Sequence, residues 1–240
     1  MHTLRVEKLA KTIKKTTIIS EISLHVKSGE IVGLLGPNGA GKTTTFYMIC
    51  GLIQPTKGDI YLDNLKLTNM PLHKRSRLGI GYLPQESSVF KDLSVEENLM
   101  LAAEIVYDKQ EDREKRVEEL LNLLNIEPIR QRKGLSLSGG ERRRCEIARS
   151  LLIEPKFLLL DEPFAGVDPI AVADIQEIVR DLVKINIGVL ITDHNVRETL
   201  DICDRAYVIK DGSLLASGTS KEVGEDKLVR RFYLGEEFKF

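Results

Sequence analysis

No apolar run in these 240 residues approaches the ~20 needed to span a bilayer as a helix, so membrane association is expected only through a partner, with no direct insertion. The opening Met1-His-Thr-Leu-Arg5 lacks a secretory apolar core, and a cytoplasmic placement is therefore expected. Cysteine is scarce: Cys50, Cys145 and Cys203 stand far apart, in no metal-ligand spacing, as suits core residues in a reducing compartment. Charge of one sign is also lacking, with 35 Lys plus Arg against 36 Asp plus Glu. That balance gives no field toward anionic lipid and no basic footprint for nucleic acid, so no nucleic-acid partner is expected. Repeats and low-complexity linkers are missing. Between Thr3 and Thr45 the only aromatic ring is the imidazole of His25.

The chain is organised around Glu30-Ile-Val-Gly-Leu-Leu-Gly-Pro-Asn-Gly-Ala-Gly-Lys-Thr-Thr-Thr45. Ile31 to Leu35 reads as a buried parallel strand, and Gly36, Gly41, Lys42 and Thr43 complete a P-loop pattern before a helix. Glycines let backbone N–H groups close around an anion, and the helix N-terminus adds positive potential. Lys42 can reach terminal phosphates, and the Thr43 hydroxyl can hold Mg²⁺.

The rest follows an α/β plan with a parallel sheet. Thr3 to Val26 reads as antiparallel strands beside the P-loop strand, and Thr56 to Asp63 as another short strand. Pro71 to Leu78, with His73, Lys74, Arg75 and Arg77, reads as a solvated helix face. Gly79 to Glu86 is a buried strand that stops at Pro84 and releases Gln85 into a loop. Residues 87 to 152 turn helical and charged; Val117, Leu120, Leu121 and Leu124 mark one buried helix face. Ser138, Gly139 and Gly140 precede a helix and form a second anion-receptive N-terminus with no lysine of its own. Phe157 to Leu160 runs into Asp161 and Glu162, Asp168-Pro169 starts a helix, Val189 to Thr192 runs into Asp193 and His194, and Asp211-Gly212 turns a hairpin. Three buried strands thus deliver polar residues at their carboxyl ends, the edge where ligands sit in open α/β sheets. Together they suit phosphoryl transfer: Asp161 for Mg²⁺, Glu162 to align or deprotonate a water, His194 for charge on the γ-phosphate, and Gln85 to sense metal and water.

In this order, P-loop, Gln85, Leu137-Ser-Gly-Gly-Glu141, Asp161-Glu162, Asp168 and His194 resemble the ATP-binding cassette (ABC) ATPases over nearly the whole chain. The resemblance implies a P-loop NTPase fold with a RecA-like core, an antiparallel β subdomain and an α-helical signature subdomain, all in one domain. The core would span about 1–86 and 153–220, the helical part about 87–152, and a C-terminal helix and tail about 221–240. It implies ATP held by Gly36, Pro37, Asn38, Gly39, Ala40, Gly41, Lys42, Thr43 and Thr44, with Thr43, Gln85 and Asp161 toward Mg²⁺ and Glu162 and His194 as catalytic residues. It also implies a head-to-tail homodimer in which Ser138, Gly139 and Gly140 of one subunit cap the ATP held by the other, with Glu141 and Asp168 also among the nucleotide-binding residues. Where relatives place an adenine-stacking aromatic ring, this chain has Ile13, and weaker adenine discrimination is expected. Within the family, Leu34 to Met48, Gly139 to Arg144, Asp161 to Pro169, Thr192 to Leu200 and the tail Tyr233-Leu-Gly-Glu236 resemble the lipopolysaccharide-export ATPases of the Lpt system. That likeness implies two membrane subunits of the LptF/LptG type with an LptC-type single-span subunit, seated at the cytoplasmic face of the inner membrane. It also implies a groove at Phe90 and Leu93 that receives a partner helix. An importer ATPase, such as the branched-chain amino acid type, shares much of the Arg-rich signature helix, whereas a soluble clamp would carry two cassettes or a long coiled coil.

Overall fold

The computed structural model describes residues 1–235; Glu236, the last residue of the tail motif, lies outside them, as do 237–240. In chain order the elements are β1 (Thr3–Ile13), β2 (Thr16–Lys27), β3 (Ile31–Leu35), α1 (Lys42–Cys50), β4 (Lys57–Leu62), β5 (Leu65–Lys66), α2 (Leu72–Arg77) and β6 (Ile80–Leu83). The helical stretch follows as α3 (Val95–Val106), α4 (Gln110–Leu123) and α5 (Gly139–Leu151). The chain then returns through β7 (Phe157–Asp161), α6 (Pro169–Lys184), β8 (Gly188–Thr192), α7 (Val196–Leu200), β9 (Arg205–Lys210), β10 (Ser213–Thr219) and α8 (Ser220–Glu225).

Two sheets form. One is antiparallel, in the order β2-β1-β4-β5; the other, β10-β9-β3-β8-β7-β6, is parallel except for the β9–β10 hairpin. Every residue of β3, β7 and β8 is buried, as expected of strands covered on both faces. Alternate residues serve different layers. Leu159 and Leu190 join Phe46, Met48 and Ile49 of α1 and the inner face of the antiparallel sheet. Leu158, Leu160, Val189 and Ile191 join α6 and the helical stretch on the opposite face. α1 is therefore sandwiched between the sheets, which fixes the P-loop at its head. The hairpin turn at Asp211 and Gly212 holds both residues at positive φ, as a two-residue turn of this twist requires.

In α2 the solvated face predicted for Pro71 to Leu78 holds for His73, Lys74 and Arg77, which are exposed, and fails at Arg75. Arg75 is 0% exposed and donates to four backbone carbonyls: Thr68 (2.9 Å), Met70 (2.8 Å), Met48 (2.8 Å) and Ile49 (2.7 Å). Two of these belong to the last turn of α1, where carbonyls lack the regular helical partner and a cation meets the negative end of the helix dipole. Gly51 ends that helix at φ +86°, and a Cβ there would meet Arg75 Nε at 2.8 Å.

Candidate active site

The loop after β3 is built on close approach. A Cβ on Gly36 would lie 2.1 Å from the Ile209 carbonyl oxygen, and one on Gly41 would lie 2.2 Å from Ile19 Cδ1. Gly41 holds the N-cap position of α1 with no side-chain cap, so the first amides of the helix are left for a ligand. Lys42 is buried and folds back, its Nζ donating to the carbonyls of Gly36 (2.7 Å) and Pro37 (3.1 Å). Burial pulls its ammonium below the usual lysine value, against the opposing attraction of Glu162, Asp161 and Asp193. Thr43 is exposed beside it. A cleft of about 290 Å³ lies over this loop, lined by Asn38, Gly39, Gly41, Lys42, Thr43, Thr44, Glu162 and Ile18. Ile13, at the end of β1, is half-exposed and is not part of that lining; Ile18 is the apolar residue there. A larger hollow of about 460 Å³ on the antiparallel sheet is lined by Lys8, Glu21, Lys57 and Asp59 among others, away from the strand ends.

The ends of β6, β7 and β8 bring their side chains together. Asp161 is buried, with only a long 3.4 Å hydrogen bond from the Tyr82 hydroxyl. Burial, reinforced by the neighbouring Glu162 charge, pushes its carboxyl up to about 6. Glu162 sits at φ +46°, its N–H bonded to the Thr192 carbonyl at 2.7 Å. Its Oε2 accepts from Gln85 Nε2 at 2.7 Å and lies 3.3 Å from His194 Nδ1. Gln85, Glu162 and His194, predicted from three separate stretches, thus form one contact chain whose middle member, Glu162, lines the cleft.

Residues not predicted for the site hold these ends in place. Arg143 of α5 is buried and donates to the carbonyls of Pro84 (2.9 Å) and Asp161 (3.1 Å), the residues just before Gln85 and Glu162. Glu146 pairs with it at 3.1 Å and accepts from Ser87 Oγ and the Ser88 N–H. A signal for both existed in the sequence. Arg143 shares the apolar helical stripe of Ile147 and Leu151, and Glu146 sits beside it, facing inward.

Ser138 caps α5. Its hydroxyl accepts from the Glu141 N–H (3.3 Å) while the Glu141 carboxylate accepts from the Ser138 N–H (2.8 Å), and Glu141 pairs with Arg132 at 2.7 Å. Gly139 and Gly140 pack against the chain around Asp168: Cβ atoms there would meet the Gly166 carbonyl oxygen at 3.0 Å and Ala171 Cβ at 2.5 Å. Asp168 caps α6 through Ala171 N–H at 3.0 Å. None of Ser138, Gly139, Gly140, Glu141 or Asp168 lines the cleft over the P-loop.

A family model described as ABC transporter matches residues 19–165, and the chain belongs to that family. Over its full length, covering all of both chains, it is 55% identical to the lipopolysaccharide export system ATP-binding protein LptB of Haemophilus influenzae. Among solved structures, the ADP conformation of MJ1267, an ATP-binding cassette of an ABC transporter, superposes with a TM-score of 0.88 at 30% identity, covering 98% of this chain and 100% of that one. The dimeric post-hydrolysis state of the cassette MJ0796, bound to ADP and Pi, gives 0.79 at 29% identity, covering 90% and 98%. The chain is an ATP-binding ABC-type ATPase with the expected P-loop NTPase fold. Among its described residues no helix is long and apolar enough to cross a membrane.

Proposed function

We propose that this chain is the ATP-hydrolysing subunit of a lipopolysaccharide exporter, working as a head-to-tail homodimer beneath two membrane subunits of the LptF/LptG type and an LptC-type subunit. The observation that carries the chemistry is the Gln85–Glu162–His194 chain, whose Glu162 shares the P-loop cleft with Lys42. The substrate rests on full-length likeness to LptB. In this reading the P-loop amides of residues 36–44 and Lys42 bind the phosphates of ATP. Glu162, oriented by Gln85, accepts the proton of the attacking water, and His194 donates toward the γ-phosphate. The neighbour's Ser138 to Glu141 and Asp168 close the site, which accounts for a cleft that none of them lines in their own chain.

Mg²⁺ fits the residues present. Asp161 is a buried carboxylate with one long hydrogen bond, short of compensation, and Thr43 offers an exposed hydroxyl nearby in the fold. No cage of three or more acidic, His or Cys side chains exists among the described residues, which suits a Mg²⁺ that arrives on phosphate oxygens. When bound, the ion would neutralise phosphate charge, held by Thr43 and, through its shell, by Asp161 and Gln85. Phe90, half-exposed under the Arg149 guanidinium at 4.9 Å, and Leu93 would receive a helix of the membrane partner, placing the dimer on the cytoplasmic face of the inner membrane. The 87–152 stretch would then act as the partner-facing subdomain, the 1–86 and 153–220 stretches as the core, and 221–240 as an appended tail.

Glu162→Gln keeps the Gln85 side of the network neutral and removes the base. Purified with its membrane partners, it is expected to bind ATP, remain dimeric and lose steady-state hydrolysis. Sustained turnover would sink the assignment. Membrane subunits of an importer in the same purification would overturn the substrate.

A further inference from the structure

Asp193, just past β8, is 0% exposed and serves two backbone segments at once. Its Oδ2 accepts from the Phe164 N–H at 3.0 Å, and its Oδ1 accepts from the Asn195 N–H at 2.8 Å while lying 3.5 Å from His194 Nδ1. Phe164 is two residues beyond Glu162, and Asn195 is the residue after His194. Glu162 occupies φ +46°, a backbone region that a non-glycine side chain holds only where its surroundings impose it. The His194 side chain is 59% exposed, so packing alone does not fix it. Upstream, Arg143 holds the carbonyls before Gln85 and Glu162; downstream, Asp193 holds the N–H groups after Glu162 and His194.

We propose that Asp193 is a positioning residue for hydrolysis, a carboxylate clip that joins the turn after Glu162 to the turn after His194 and so sets their 3.3 Å contact. This rests on the reading above, in which those two side chains act on the γ-phosphate and the water. The two N–H donors arrive from different segments and each meets its own carboxylate oxygen, an arrangement that a group with two acceptor oxygens supplies. Asp193→Asn would leave one acceptor and turn an NH₂ against the other donor, and Asp193→Ala would leave both N–H groups without a protein partner.

The test is ATP hydrolysis by the full chain in the transporter assembly that co-purifies with it, alongside equilibrium ATP binding and thermal unfolding. Asp193→Asn should lower kcat by about 10- to 100-fold, Asp193→Ala by more, with ATP Kd within about two-fold of wild type, as expected when geometry and not phosphate affinity is lost. In a His194→Ala background, the further change Asp193→Asn should cost less than about two-fold, because both substitutions remove the same contact. Single-turnover cleavage extends that measurement to slow variants. Asn195→Pro, at a φ of −82° that proline accepts, removes one donor while leaving Asp193 in place, and should reproduce the kcat loss if the aspartate variants fail to fold. An unchanged kcat, a loss that multiplies independently with His194→Ala, or an ATP affinity that falls in step with kcat overturns the proposal. Full activity in Glu162→Gln or His194→Ala alone would overturn the underlying site assignment instead, whatever the Asp193 variants do.

Discussion

The chain has two helix N-termini suited to phosphate, and they are finished differently. At α1 the N-cap position is Gly41, no side chain satisfies the first amides, and the buried Lys42 is held only by carbonyls of its own loop. At α5 the N-cap is Ser138, locked with Glu141 in a reciprocal capping box and tied onward to Arg132. The first end offers free donors and a cation whose present partners a phosphate can replace. The second already has its N3 amide and its N-cap N–H satisfied, and it offers a serine hydroxyl on an exposed edge. An open end can bind an anion alone; a capped end contributes one more donor to an anion already bound. In the proposed head-to-tail dimer, one chain would therefore supply both a primary site and a complementary edge.

Lys42→Ala should break the comparison most severely. Removing the ammonium deletes charge-assisted contacts of about 1.5–3 kcal/mol, roughly 10- to 150-fold in ATP affinity, and turnover should disappear with it. Equilibrium ATP titration of the isolated chain measures this, and an affinity within error of wild type would mean that α1 is not the primary site. Ser138→Ala should split the two ends. The isolated chain should bind ATP within about two-fold of wild type, since a residue outside the cleft does not couple to it, whereas ATP-driven dimerisation and hydrolysis should fail. Losing the cap should also cost about 1 kcal/mol, a fall of roughly 2–4 °C in Tm for a chain of this size. If Ser138→Ala weakened ATP binding by the isolated chain, both ends would be acting within one copy.

Much of this contrast was legible in the sequence, and the reason is local. β3, β7 and β8 are buried on both faces, so they read as unbroken apolar runs, and their polar ends mark the ligand edge. Gly41 before Lys42 and Ser138 before Glu141 are nearest-neighbour signals that need no tertiary knowledge. What stayed hidden depends on partners far along the chain. Arg75 sits in a basic cluster and reads as solvated, yet carbonyls of Met48 and Ile49, more than twenty residues upstream, take it into the core. Asp193 reads as one more polar residue at a strand end, because Phe164 is 29 residues away. Arg143 looks like one of three successive signature-helix arginines until the period of the buried face is followed.

The smallest effect is expected at the base end of the same cleft, and it sharpens how far the phosphate end dominates. The P-loop lining contributes one apolar side chain, Ile18, and Ile13 stands half-exposed outside it, with no aromatic ring from Thr3 to Thr45 apart from His25. An adenine lying against this edge would gain apolar contact but no stacking from it, and ATP should then be preferred over GTP only weakly. Ile13→Tyr introduces a ring at the exposed end of β1, where nothing must be repacked to admit it. If that ring reaches the base, stacking of about 1–3 kcal/mol should appear as tighter ATP binding with a shifted ATP-to-GTP ratio, and the Lys42→Ala loss should be unchanged in size because the two groups touch opposite ends of the nucleotide. Paired titrations of ATP and GTP against both chains decide it. An unaltered affinity and ratio would place the base beyond the reach of residue 13 and leave Ile18 as its apolar contact.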